Sequence, residues 1–82
     1  MEINQVLGGR IKHFRKEFGM TQQAFADMIG VEALHISNVE RGKKGLSLDV
    51  MVSVCSLFNI SMADLLPIGS QRSELLMLPQ NA

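Results

Sequence analysis

Between Gln22 and Arg41 a small residue, Ala26, and a turn-forming glycine, Gly30, stand four positions apart inside two short apolar-striped segments. Two short helices cross at a steep angle only if the linking residue tolerates a positive φ and the side chain beneath the crossing is small. Gly30 satisfies the first condition and Ala26 the second. Phe25, Ile29, Val31, Ile36 and Val39 supply a core shared by the two helices. A plain helical hairpin would show the same apolar pattern, but it would not need both special residues at this spacing. The pattern predicts a steeply crossed helix pair whose second member, Glu32 to Arg41, stands at the surface of a small globule.

The remaining chain supplies the scaffold. Leu7, Ile11, Phe14 and Phe18 recur at helical spacing, with Arg10, Lys12, Arg15 and Lys16 between them, and Gly19 closes this first helix. Thr21 is suited to cap the second helix, because its hydroxyl accepts a free backbone N–H. That helix is expected to turn Phe25, Met28 and Ile29 inward and to stop at Gly30. The third ends at Gly42. A fourth starts at Ser47 and buries Leu48, Met51, Val52, Val54, Cys55 and Phe58. Ser61 caps a short fifth, Met62 to Leu66, which Pro67 ends. No stretch alternates with period two, so the expected fold is all-α: a compact five-helix domain over residues 1–67 with a tail over 68–82. The tail opens on Gly69-Ser70 and carries an apolar cluster, Leu75 to Leu78.

Composition narrows the function. The 82 residues allow one domain and one core, and 46% of them are hydrophobic, too many for a disordered chain. No apolar run approaches the length of about 20 residues needed to span a membrane, and the first residues do not read as a signal segment, so the expected location is cytoplasmic. The lone Cys55 has no internal disulfide partner and reads as a small core residue. His13 and His35 fall on different helices with no acid or cysteine at ligand spacing; His35 is expected to be an exposed helix residue. The serines lack a base partner and no phosphate-binding glycine loop occurs. No metal, cofactor or enzymatic activity is therefore expected.

Charge is balanced overall, eight basic residues against eight acidic, but it is unevenly placed. Arg10, Lys12, Arg15, Lys16, Arg41, Lys43 and Lys44 all lie between positions 10 and 44, against four acids there. Binding to an anion depends on the local field rather than on the chain average.

The run Thr21-Gln22-Gln23-Ala24-Phe25-Ala26, then Ile29-Gly30-Val31 and Ile36-Ser37-Asn38-Val39-Glu40-Arg41-Gly42-Lys43 resembles the lambda-repressor-like, Cro/Xre type of helix-turn-helix domain. The resemblance extends from about Leu7 to Leu66. It implies a third helix that enters the major groove of double-stranded DNA, and a homodimeric transcriptional regulator, expected to be a repressor.

By the same resemblance, Gln22 matches a glutamine that bonds a DNA phosphate. Thr21 and the start of the second helix add backbone N–H groups to that anion site. Lys43 and Lys44 lie in a loop that contacts phosphates, with Arg10 reaching the DNA backbone from the other side; plain solvation is the alternative for the lysines. Arg15 and Glu40 match a half-buried structural ion pair that fixes the recognition helix. Ala33, Leu34, Ser37 and Asn38 match the groove-facing positions. Asn38 can pair bidentately with adenine, and Ala33 and Leu34 can pack on thymine methyl groups, so the expected half-site leans to A·T. Two residues depart from the family pattern. Glu32 stands where Ser or Thr usually caps the recognition helix, and Leu34 is apolar for an exposed reading position.

A domain this small touches too little DNA for a strong specific site alone, which favours a symmetric dimer. Val50 and Leu57, expected to face outward from helix four, together with helix five and the tail, are the expected dimer surface. The tail cluster around residues 74–78 has two open readings: contact with a second chain or protein partner, and packing on its own core. The alternative function is a protein-interaction or antitoxin-type module that uses this fold without strong DNA binding.

Overall fold

The computed structural model describes residues 2–66; the predicted tail cluster and the boundary at 67/68 lie outside them. Five helices follow one another with no strand among the described residues: α1 (Ile3–Glu17), α2 (Gln22–Ile29), α3 (Ala33–Glu40), α4 (Leu48–Phe58) and α5 (Met62–Leu65). Helix α3 packs against both α1 and α2, while α5 packs against α1 and α4.

Each helix starts where a side chain can replace a missing backbone acceptor. Glu2 accepts from the Asn4 amide at 3.1 Å, Thr21 Oγ1 from Ala24 at 3.0 Å, and Ser47 Oγ from Val50 at 3.3 Å. At α5 the Asp64 carboxylate accepts from the Ser61 amide at 2.9 Å. The exception is α3, whose N-cap Glu32 makes no side-chain bond to the helix.

The turn between α2 and α3 takes the predicted form. Gly30 has φ 75° and ψ 33°, and the following Val31 amide donates to the Ala26 carbonyl at 3.0 Å. A Cβ on Gly30 would meet no atom within 4 Å, so glycine is required there by backbone conformation and not by lack of room. Gly8 is the opposite case. A Cβ there would overlap the Val39 carbonyl oxygen and lie 3.0 Å from that of Glu40. Its missing side chain lets α1 press directly on the last turn of α3.

The core gathers Leu7, Ile11, Phe25, Ala26, Ile36, Val39, Val54, Phe58 and Leu65. Phe58 is its hub: its ring stacks on Phe25 with centroids 5.4 Å apart and on Phe14 at 5.8 Å, and Phe18 leans on it at 4.8 Å. Of the predicted helix-pair core, Phe25, Ala26, Ile36 and Val39 are fully enclosed, and Ile29 and Val31 pack against them half-buried.

Several predicted burials differ. In α2 the buried arc runs through Phe25, Ala26 and Ile29, and Met28 falls outside it, exposed. In α4 the phase is rotated. Leu48 and Val52 face solvent, whereas Val50 and Leu57, expected outward, pack against the core. Helix α4 is apolar almost all round, so its apolar residues do not set its phase. Its polar residues Asp49, Ser53 and Ser56, spaced i, i+4, i+7, mark the outer side. His35 is half-buried rather than exposed.

Candidate nucleic-acid interface

Helix α3 has two faces with opposite physical characters. Ile36 and Val39 point inward with no exposed surface. One hundred degrees of rotation per residue places Leu34, Asn38 and Arg41 (i, i+4, i+7) on the opposite stripe, with Ser37 beside them. Leu34 is 66% exposed, Arg41 is exposed, and Ser37 and Asn38 are half-buried. Ala33, expected at the reading surface, is half-buried and packs against the core.

The inner end of α3 is held by a polar clamp. Arg15 donates from Nε to Glu40 Oε2 at 2.6 Å and from Nη2 to Oε1 at 3.0 Å, a two-pronged pairing of guanidinium with carboxylate. Its Nη1 donates to the Met20 carbonyl at 2.7 Å. The side chains are only 10% and 3% exposed, so the pair is buried more deeply than the half-buried pair expected from sequence. Burial of a charge is costly unless every donor and acceptor is occupied, and here the fork is filled. Among the described residues no buried side-chain nitrogen or oxygen lacks a partner.

Gln22 joins this clamp. Its Nε2 donates to Glu40 Oε1 at 3.0 Å, so the first residue of α2 is tied to the last residue of α3. An amide nitrogen carries two hydrogens, and one remains for an outside acceptor. Thr21, one residue earlier, uses its oxygen to cap α2. The start of α2 and the outer stripe of α3 are thus fixed relative to each other by Glu40.

The remaining basic residues are placed differently from one another. Lys43 and Lys44 are exposed in the loop after α3. Arg10, expected on a phosphate, donates from Nη1 to the carbonyls of Ala63 at 3.2 Å and Asp64 at 3.3 Å, and so ties α1 to α5. Arg41 is absent from the predicted contact set, yet its Nη2 donates to Asn38 Oδ1 at 2.8 Å. Its position seven residues after Leu34 was the signal that could have found it.

The other chemically notable group is Cys55. Burial, and then the Asp64 charge, push its thiol pKa up, and its Sγ donates to Met62 Sδ at 3.5 Å, which makes a reactive thiolate unfavourable. Among the described residues no group of His, Cys, Asp or Glu is arranged to hold a metal. Nor is any helix there long and apolar enough to cross a membrane.

A family model described as helix-turn-helix matches residues 11–65, a span that takes in the clamp, the Gly30 turn and the exposed stripe. The chain belongs to the lambda-repressor-like, Cro/Xre-type helix-turn-helix family. This helix-turn-helix protein is 33% identical over 63 residues to YazB, an HTH-type transcriptional regulator of Bacillus subtilis, covering 77% of this chain and 91% of YazB. It is 32% identical over 60 residues to the antitoxin PezA of Streptococcus pneumoniae, covering 73% of this chain but spanning only 38% of PezA. In three dimensions it is similar to the P22 c2 repressor, solved in complex with a synthetic operator. The TM-score is 0.70 at 29% identity, with 76% of this chain and 94% of the repressor covered.

Proposed function

We propose that this helix-turn-helix protein is a sequence-specific DNA-binding transcriptional regulator, acting as a repressor, that inserts α3 into the major groove. The observation that carries the reading is the outer stripe of α3, exposed on one side while its inner face is locked by Ile36, Val39 and the Arg15–Glu40 pair. The family membership and the likeness to a repressor solved on its operator support it.

In this reading Leu34, Ser37 and Asn38 meet base edges, with Leu34 on a thymine methyl. Ala33 contributes close packing rather than deep reach. Gln22 gives its second amide hydrogen to a phosphate, joined by Thr21 and the backbone N–H groups at the start of α2. Lys43 and Lys44 meet phosphates further along. Arg10, engaged with α5, is left out of this set. No cofactor or catalytic step is involved, and the working unit is a cytoplasmic homodimer on a near-palindrome.

Titrating the full chain with duplexes selected from a random pool, at several salt concentrations, tests the proposal. Affinity should fall steeply as salt rises, with a slope set by the phosphates engaged. No enrichment of any duplex at low salt would favour the second reading, a protein-interaction module. Two features speak for that reading: Leu34 leaves an apolar side chain exposed at the start of the stripe, and an antitoxin is among the relatives.

For the dimer, light scattering on the full chain and on a chain lacking residues 69–82 separates the two surfaces. A dimer that persists without the tail assigns the contact to the helical domain, where Leu48 and Val52 are the exposed apolar residues of α4.

A further inference from the structure

We infer that Arg41 and Asn38 form one reading unit, and that the unit recognises guanine rather than adenine in the major groove. The inference rests on the DNA-binding reading above and deepens it. Arg41 lies on the same outward stripe as Leu34 and Asn38, at the end of α3. Its Nη2 donates to Asn38 Oδ1 at 2.8 Å, and its Nε lies 3.4 Å from the Ser37 carbonyl. The guanidinium therefore wraps the last turn of the helix and sits directly beside the asparagine amide.

This contact decides which hydrogen-bonding groups face outward. The asparagine side chain has one acceptor, Oδ1, and one donor group, Nδ2–H2. With a cation seated on Oδ1, the amide is fixed with its oxygen toward Arg41. Oδ1 keeps a second lone pair, but that lone pair now lies beside a cation, so what the pair turns most readily toward a base is the Nδ2 hydrogens and the remaining guanidinium hydrogens. Adenine presents one acceptor, N7, and one amino donor, N6; that amino group needs Oδ1 and would face a positive charge. Guanine presents two acceptors, N7 and O6, which match these donors. Placed side by side in this way, Asn38 and Arg41 match guanine better than adenine.

The test compares the full chain with Arg41→Ala, Asn38→Ala and the double variant. Duplexes are first selected from a random pool. Binding is then measured on two duplexes that differ only by G·C or A·T at the base pair whose preference Asn38→Ala changes. Arg41 is exposed, so its variant should keep the far-UV circular dichroism and melting of the parent. The unmodified chain should prefer the G·C duplex by about ten- to a hundred-fold. Arg41→Ala should reverse the preference toward A·T, because Oδ1 is released to accept from N6, and the double variant should lose discrimination. If Arg41→Ala weakened both duplexes by one factor and left the preference unchanged, arginine would be only a phosphate contact and the inference would fail. A preference for A·T in the unmodified chain would also overturn it. Enrichment of no duplex at all would instead remove the DNA-binding reading on which it stands.

Discussion

The two faces of α3 differ in what surrounds them, and the difference separates fold from recognition. On the inner face every group is committed. Ile36 and Val39 are sealed, Gly8 brings α1 against the carbonyls of Val39 and Glu40, and Glu40 is shared between Arg15 and Gln22. On the outer face Leu34 is largely exposed, and the side chains of Asn38 and Arg41 bond only to each other and to the Ser37 carbonyl. A helix only eight residues long is not stable alone, so the inner face must supply its order. The outer face can then vary without cost to folding.

Substitutions at the inner face should have the greatest effect. Glu40→Ala leaves the Arg15 charge buried without its partner and should lower unfolding free energy by about 3–5 kcal/mol, measured by urea denaturation. A loss under about 1 kcal/mol would mean that the clamp contributes little to holding α3. Gly30→Ala tests the hinge between the faces. Its φ of 75° is unfavourable for alanine, although no atom would clash, and a loss of about 1–2 kcal/mol is expected in the same assay. Glu32→Ser acts at the start of α3, where Glu32 makes no side-chain bond and the His35 amide is met by the Glu32 carbonyl at 3.0 Å, so a hydroxyl would add a side-chain acceptor. It should raise stability by about 0.5–1 kcal/mol, read from thermal melts, and unchanged melting would show that the helix start gains nothing from a cap. Leu34→Ala, on the outer face, should change stability by less than about 0.5 kcal/mol while weakening binding to the selected duplex. If stability fell instead, the outer face would be part of the fold.

Much of this contrast was legible in the chain itself. The five helices appear where the caps Thr21, Ser47 and Ser61 and the breaks at Gly19, Gly30 and Gly42 place them, because capping and positive φ are local properties. The core of the crossed pair was legible for the same reason: Phe25, Ala26, Ile36 and Val39 combine a short-range period with an obligatory turn. What sequence did not disclose depends on distant contacts. The apolar residues of α4 run almost all round it and leave its phase open; locally only Asp49, Ser53 and Ser56 mark the outer side, and the stacking of Phe58 on Phe25 and Phe14 holds the helix with Leu48 and Val52 facing solvent. Arg10 meets α5 across more than fifty residues of chain, so nothing near it signals that bond. Gly8 was missed although a Gly8-Gly9 pair inside an amphipathic helix is itself unfavourable by about 1 kcal/mol per residue, and that cost was the clue to a close approach. Arg41 stands at the C-cap of α3, and its spacing from Leu34 and Asn38 rather than its place at the helix end puts it on the reading side.

Amide chemical shifts of the full chain, followed by NMR as the selected duplex is added, would address the division between the two faces most directly. The shifts should concentrate at residues 33, 34, 37, 38 and 41, at the start of α2 and at Lys43 and Lys44, with α4 nearly unmoved at Leu48 and Val52. Large shifts confined to α4, with the outer residues of α3 unchanged, would contradict the assignment of α3 as the surface that meets DNA.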